Sequence, residues 1–422
     1  MADKTRNFAA TMVEERHKDN DNPTQTTMDQ GRVESDVARC YSASMADEAL
    51  LSRPVLIRQA HAQYLRHGLS RLSTSYQHLD SSRPWLVYWI LHSLELLEEP
   101  ISDQTKHEVV DFLRKCQNPS GGYGGGPGQI SHLAVTYAAV NALCIIGTKE
   151  AYDSIDRPAL QWFLARMLQP NGSFASHTDG EVDIRGAYVA LAVARLLNIL
   201  CPEICEGTAA WVASCQTYEG GFAGIPGCEA HGGYTYCGAA ALILLDTTHL
   251  CDIQGLVKWA ANRQMRLEGG FQGRTNKLVD SCYSFWVGAL FPLLEFFVTQ
   301  EETEEHIHAL NSSRWLFHQE ALQEYLLHCA QSPKGGFVDK PGKPADFYHT
   351  CYALSGLSVA QHFKWKDASR SCIVGEATNE LATVHPLFNI GLQAATDAQE
   401  YFGNLKVPSI QKRDGDASAG DA

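Results

Sequence analysis

The 422-residue sequence has no apolar run of about 18 residues free of charge, which is what a membrane-spanning helix needs. Its first twenty residues are charged and have no apolar centre, so no secretory signal is expected there. Basic charge is also scarce: 34 Lys and Arg stand against 48 Asp and Glu, a formal net charge of −14. A nucleic-acid footprint or a polybasic membrane anchor needs the opposite balance on one face, so neither nucleic-acid binding nor direct membrane insertion is expected. The chain has no Asp-Asp dipeptide. Its thirteen cysteines are scattered through apolar runs, as at Cys144, Cys201 and Cys351, without the spacing of a disulfide framework. They read as small buried hydrophobes in a reducing compartment, which fits a soluble cytoplasmic protein.

With 45% hydrophobic and 19% charged residues, the chain can bury a large core. Residues 1–45 are polar and mixed in charge and are expected to form a disordered arm, and 404–422 a flexible tail. Residues 46–403 should then be one domain. From Pro54 the pattern turns helical, and the stretch from Arg83 to Leu94 is apolar on nearly every face, the mark of a buried helix. Trp85 and Trp89 are four apart and share a helix face, where residue type alone favours core.

A repeat then begins. Gln117 to Tyr123, Gln169 to Phe174, Gln216 to Phe222, Arg266 to Phe271 and Ser332 to Phe337 are versions of one glycine turn. Their second glycines, read as 122, 172, 221, 270 and 336, are spaced by 50, 49, 49 and 66 residues. The long last interval carries the acidic stretch 299–313, which the period predicts to be a surface loop. Each turn follows an amphipathic helix such as Lys106 to Cys116 and precedes one that is apolar all round, such as His132 to Leu143. One-sided helices belong outside and all-apolar helices inside, so the repeat is an outer–inner pair. An open solenoid would not need its inner helices apolar on every side. The expected fold is therefore all-α: an α/α toroid, an α6-α6 barrel with a central apolar funnel.

Counted from the second glycine, candidate polar groups recur at similar offsets: His132, His231 and Asp280 at 10, Cys282 at 12, Arg185 and His349 at 13. In a ring of repeats they must converge on one rim, at inner-helix N-termini where free N–H groups favour an anion. Arg185, His231, Arg274 and Lys277 would then surround the mouth of an apolar cavity, a site for a charged head on a greasy tail such as an isoprenoid diphosphate. Taken singly, each cation is as readily a partner for the chain's abundant carboxylates. Asp280, Cys282 and His349 form an O/S/N set suited to Zn²⁺ with an open fourth position, provided Asp280 caps a helix and Cys282 lies in its first turn. On those residues alone, a buried Cys beside a capping Asp remains the alternative.

The motifs Val279 to Trp286, His231 to Cys237, and Lys340-Pro341-Gly342-Lys343 followed by Asp346 to Tyr352 resemble those of protein farnesyltransferase β subunits, in the protein prenyltransferase family, from about residue 54 to about 400. The resemblance implies an α/α barrel paired with a helical-repeat α subunit. It would transfer farnesyl from farnesyl diphosphate to the cysteine of a C-terminal C-a-a-X protein. It implies Asp280, Cys282 and His349 as zinc ligands. Arg185, Tyr188, His231, Tyr234, Cys237, Arg274, Lys277, Tyr283 and Trp286 would contact the farnesyl diphosphate. Trp85, Trp89, His132, Ala134 and Tyr348 would contact the peptide, and Asp339 would help place Mg²⁺ on the diphosphate. His231, Arg274, Lys277, Tyr283 and Asp339 would carry the chemistry by stabilising the leaving group. A geranylgeranyltransferase type I β subunit is the alternative, disfavoured by the bulk of Trp85 and Tyr348. A terpene cyclase on the same barrel would ionise its substrate with clustered aspartates, which this chain lacks.

Overall fold

A helix with no polar face must be surrounded by protein, and six such helices line the centre of this molecule. The computed structural model describes residues 22–46, 54–298, 316–363 and 372–410. In chain order the first helices are α1 (Gln25–Ala46), α2 (Arg58–Ser70), α3 (Arg83–Leu96), α4 (Asp103–Cys116), α5 (Leu133–Ile146), α6 (Arg157–Met167), α7 (Ile184–Leu196) and α8 (Thr208–Ser214). They are followed by α9 (Gly232–Leu244), α10 (Ile253–Ala261), α11 (Tyr283–Trp286), α12 (Leu290–Val298), α13 (Gln319–Tyr325), α14 (Phe347–His362) and α15 (Leu392–Gly403). The inner ring runs α3, α5, α7, α9, then α11 with α12, then α14, which packs back on α3. Helices α2, α4, α6, α8, α10 and α13 alternate with them in sequence as the outer layer. The fold is an α/α toroid, as the repeat predicts.

Each repeat turns on a residue in the left-handed region. Gly121, Gly172, Gly220, Gly269 and Gly335 have φ of +91°, +86°, +100°, +83° and +91°, a conformation that glycine adopts without strain. Each stands two residues before a buried aromatic: Tyr123, Phe174, Phe222, Phe271 and Phe337. This corrects the register of the second repeat, because Gly172 matches the first glycine of the other turns and Ser173 the second. The glutamine of four turns ties it to the next outer element: Gln117 to Ser154 and Asp156, Gln216 to Asp252, Gln264 to His318 and Gln331 to Ile57.

The funnel is closed at one end by a hairpin of β3 (Val384–His385) and β4 (Ile390–Gly391); β1 (Phe337–Val338) and β2 (Ala345–Asp346) form the other hairpin. Four inner helices each send one tyrosine to the closing hairpin. Tyr88 Oη donates to Asn389 O (2.6 Å), Tyr137 to Phe388 O (2.8 Å), Tyr188 to Leu387 O (3.0 Å) and Tyr236 to Pro386 O (2.8 Å). Buried phenols need partners, and these carbonyls satisfy them while fixing the floor of the funnel.

The expectation of a disordered arm over 1–45 does not hold for its second half. Residues 25–46 form α1, which buries Val33, Val37 and Tyr41 and packs on the π-helical turn Leu326–Ala330 that follows α13. Tyr41 Oη donates to Glu268 O at 2.7 Å and Gln30 Nε2 to Glu268 Oε1 at 2.8 Å. The three apolar residues lie at i, i+4 and i+8 on one face, a narrow stripe that the polar composition hides. Residues 1–21, the acidic stretch 299–313 and residues 411–422 lie outside the described residues; 404–410 follow α15 without regular structure.

Candidate functional site

The site is built from inner-helix N-termini. His132, Asp183, His231 and Asp346 are the N-caps of α5, α7, α9 and α14. With the second repeat in its corrected register, each stands ten residues after the second turn position. Asp280 occupies the same position before α11, where its Oδ1 accepts from Cys282 N at 2.9 Å. A cap side chain satisfies an otherwise orphaned N–H, and its position at the helix mouth also brings it to the shared rim.

Capping decides the tautomers of the histidines. Nδ1 of His231 accepts from Gly233 N (3.1 Å), so Nε2 carries the proton and donates to Tyr283 Oη at 2.8 Å. Tyr283 is left with its own O–H free to donate. In His132, Nδ1 accepts from Ala134 N (3.1 Å), so Nε2 is again a donor, 3.7 Å from Glu181 Oε1. His349 is the reverse. Its Nδ1 lies 2.7 Å from Asp346 Oδ2, to which it can only donate, so Nε2, 3.4 Å from Asp280 Oδ1, is the nitrogen left to hold a metal once it gives up its proton.

The ligand atoms of Asp280, Cys282 and His349 lie within 4.8 Å of one another, with Cys282 buried. Burial and the adjacent Asp280 carboxylate push the Cys282 thiol well above its ordinary pKa. Burial lowers the His349 imidazole, but the hydrogen bonds to Asp280 and Asp346 outweigh it and raise it to about 9. A proton on His349 and another on Cys282 thus do what a divalent cation would do better, and this donor set fits zinc. His132, His177 and Glu181 also converge within 4.8 Å. They fit a metal less well, because His132 presents an N–H to the cluster.

Beside the metal set opens a cavity of about 340 Å³. Of the residues anticipated for prenyl and peptide contacts, Arg185, Tyr188, His231, Tyr234, Cys237, Tyr283, Trp286, Trp85, Trp89, His132, Ala134 and Tyr348 line it. Tyr188 contributes its ring, its hydroxyl being committed to the floor. Trp286 Nε1 donates to Tyr348 Oη at 3.0 Å, and Trp286 stacks on Tyr352 at 4.4 Å. Gly273 is required here because a Cβ on it would lie 2.1 Å from the Tyr283 ring.

Two of the cations stand apart from the cavity lining. Arg274 Nη1 donates to Glu229 Oε2 at 2.8 Å, and Lys277 lines a separate polar cleft beside α1. Arg185, which does line the cavity, is held by both oxygens of Asp183 (2.9 and 2.6 Å). An anion at the mouth must therefore draw the arginines from these carboxylates. Asp339, on the loop after β1, pairs with Lys340; burial and Asp280 raise its carboxyl pKa. The sequence reading missed Asp346, Asp183 and Glu229. Asp346 was legible as the tenth residue after its turn, whereas Asp183 falls eleventh until the register of the second turn is corrected and Glu229 carried no signal.

The comparisons with known proteins agree with this fold. Residues 56–390 match the model of the prenyltransferase alpha-alpha toroid domain. The chain is 42% identical to the protein farnesyltransferase subunit beta of Arabidopsis thaliana, over 90% of each chain. It is 44% identical to that of Pisum sativum, over 76% of this chain and 90% of the relative. Identity to the geranylgeranyl transferase type-1 subunit beta of Arabidopsis thaliana is 30%, over 72% of this chain and 85% of that one. Among solved structures, Candida albicans protein geranylgeranyltransferase-I complexed with GGPP superposes with a TM-score of 0.67 over 82% of this chain and 99% of that one, and at 22% identity it supports the fold alone. A toroid of six helix pairs, a rim of capping side chains and identities above 40% place this chain in the protein farnesyltransferase β-subunit family.

Proposed function

We propose that this chain is the catalytic β subunit of a protein farnesyltransferase, moving farnesyl from farnesyl diphosphate to the cysteine thiol of a C-terminal C-a-a-X protein. The observation that carries the reading is that an O/S/N metal set and an apolar aromatic cavity meet at one point, where Tyr283 follows Cys282 in sequence and lines the cavity. Asp280, Cys282 and His349 would hold Zn²⁺. When bound, the ion supplies an open coordination position at which a substrate thiol loses its proton at neutral pH.

The remaining steps belong to side chains of the chain itself. Tyr188, Tyr234, Cys237 and Trp286 line the cavity that would take the prenyl tail and exclude water from it. As the C1–oxygen bond breaks and the carbon–sulfur bond forms, the diphosphate departs with the electron pair. Tyr283, whose hydroxyl is held by His231, donates its proton toward that developing charge. Arg185, Arg274 and Lys277 add positive potential once drawn from Asp183, Glu229 and the α1 cleft. Asp339 is the residue available to Mg²⁺ on the diphosphate. Trp85, Trp89, His132, Ala134 and Tyr348 line the same cavity and would contact the peptide. Relatives named as subunits support a partner α chain. No disulfide joins the thirteen cysteines among the described residues, which supports a reducing, cytoplasmic setting; no described helix is long and apolar enough to cross a membrane.

The test is co-expression with an α subunit, metal analysis, and transfer to a C-a-a-X peptide with fifteen- and twenty-carbon donors. Bound zinc and preference for the fifteen-carbon donor are expected, and Cys282→Ala should lose zinc and transfer while still binding farnesyl diphosphate. Preference for the twenty-carbon donor would replace this reading with a geranylgeranyltransferase type I β subunit. Full activity of Cys282→Ala would end the metal assignment.

A further inference from the structure

The helices that carry Cys282 and His349 meet where neither has room for another carbon. A Cβ on Gly356 of α14 would lie 2.3 Å from Ser284 Cβ, 2.4 Å from its carbonyl carbon and 2.7 Å from its carbonyl oxygen. These atoms are backbone or Cβ, so no rotamer change relieves the contact. Ser284 is the second residue after Cys282, and Gly356 is seven residues after His349, two helical turns along one face.

The hydroxyl of Ser284 does not account for the contact, because its Oγ is buried without a hydrogen-bond partner. Its size does. On the other side, Gly288 N donates to Tyr283 O five residues back at 3.3 Å, a π-type turn that separates α11 from α12. A Cβ on Gly288 would lie 2.1 Å from Ser284 O. The peptide of Ser284 is thus confined by a glycine within its own segment and a glycine on the next inner helix.

We propose that Gly356 is a positioning residue for the metal: its missing side chain lets α14 approach α11 and so sets the separation of the Cys282 sulfur from the His349 imidazole. This rests on the zinc reading above. Ordinary van der Waals contact begins at 3.4 Å, so alanine at 356 moves the two segments apart by about 1 Å. Metal–ligand distances tolerate only about 0.2 Å.

The test uses the α/β complex with Gly356→Ala, and Gly238→Ala as a control. Gly238 is a glycine of α9 whose Cβ would meet the Phe222 ring at 2.5 Å, on an inner helix that carries no metal ligand. Zinc affinity is measured by chelator competition, and the thiolate–metal absorption is followed after Co²⁺ substitution. Gly356→Ala should weaken zinc at least about tenfold and alter the Co²⁺ spectrum, with farnesyl diphosphate affinity kept. Two of the three atoms that a Cβ at 356 would meet are backbone, the Ser284 carbonyl carbon and oxygen, so farnesyl diphosphate affinity, measured alongside, reports whether each variant keeps the fold. Wild-type zinc affinity and Co²⁺ spectrum in Gly356→Ala, equal weakening in Gly238→Ala, or loss of farnesyl diphosphate binding by Gly356→Ala, which would make the glycine a requirement of the fold rather than of the metal, would overturn the inference. A wild-type complex that binds no zinc would instead bring down the metal reading itself, and this inference with it.

Discussion

Replacing Asp346 by asparagine isolates what one carboxylate does for the metal set. Asp346 has two tasks, one per oxygen: Oδ1 accepts from His349 N at 2.7 Å, capping α14, and Oδ2 accepts from His349 Nδ1 at 2.7 Å. Asparagine is nearly isosteric but has only one acceptor oxygen. If that oxygen keeps the cap, the amide N–H₂ faces Nδ1 and forces it to accept. The proton then sits on Nε2, the atom aimed at Asp280 and Cys282, and the ring can no longer serve as a ligand. If the amide turns over, the tautomer survives and the cap is lost, at about 1 kcal/mol of stability. The first arrangement keeps the helix intact, so Asp346→Asn should fold with a nearly unchanged Tm. A lost hydrogen bond to a ligating imidazole costs roughly 10–100-fold in metal affinity, or about 1.4–2.7 kcal/mol. Chelator competition on the purified complex reads the affinity and thermal denaturation reads the cap. Unchanged zinc affinity together with unchanged Tm would refute the tautomer argument, since the two roles of Asp346 cannot both survive.

Two further outcomes follow from the hydrogen bonds. Tyr283→Phe removes a donor to developing charge and should slow transfer about 10–100-fold, at roughly 1.5–3 kcal/mol for a hydrogen bond to a charged group. Because His231 holds that hydroxyl at 2.8 Å, His231→Ala and Tyr283→Phe should be non-additive in a double-mutant cycle on kcat; strict additivity would mean the two act separately. His61, buried with Nδ1 accepting from Gly336 N and Nε2 facing Gln331 Oε1, is lowered by burial from 6.5 to about 4. The unfolded chain therefore binds a proton that the native one refuses between those values, so this contribution is fully present above pH 6.5 and is lost as pH falls toward 4. It amounts to about 3 kcal/mol at most. Denaturant midpoints of wild type and His61→Gln, measured from pH 7 down to 4, should draw together as the pH falls below 6.5, and parallel pH profiles would contradict the assignment.

The helix pairs, their inner or outer placement and the offsets of the site residues were legible because they depend on periodicity, a local property of the chain. The glycine turns gave the period, although the second repeat was read one residue out of register. With Gly172 alone and no neighbouring glycine, only its φ of +86° shows which position it fills. Helix α1 was misread as disordered because a stripe of Val33, Val37 and Tyr41 is too thin to stand out from polar surroundings, and only contact with the turn Leu326–Ala330 makes it a buried face.

Sequence alone determined which residue types stand at the rim, because the five inner helices that follow a glycine turn each take a polar cap at the same place in the repeat. It could not decide which of them are ligands and which are donors. That depends on where each cap side chain finds its second partner: the backbone N–H of Gly233 for His231, the carboxylate of Asp346 for His349. Nor could it place Arg274 with Glu229 or Lys277 in the cleft beside α1, since those contacts join repeats whose separation along the chain carries no pattern. Closure of the ring decides these contacts, because it brings side chains from different repeats within hydrogen-bonding distance.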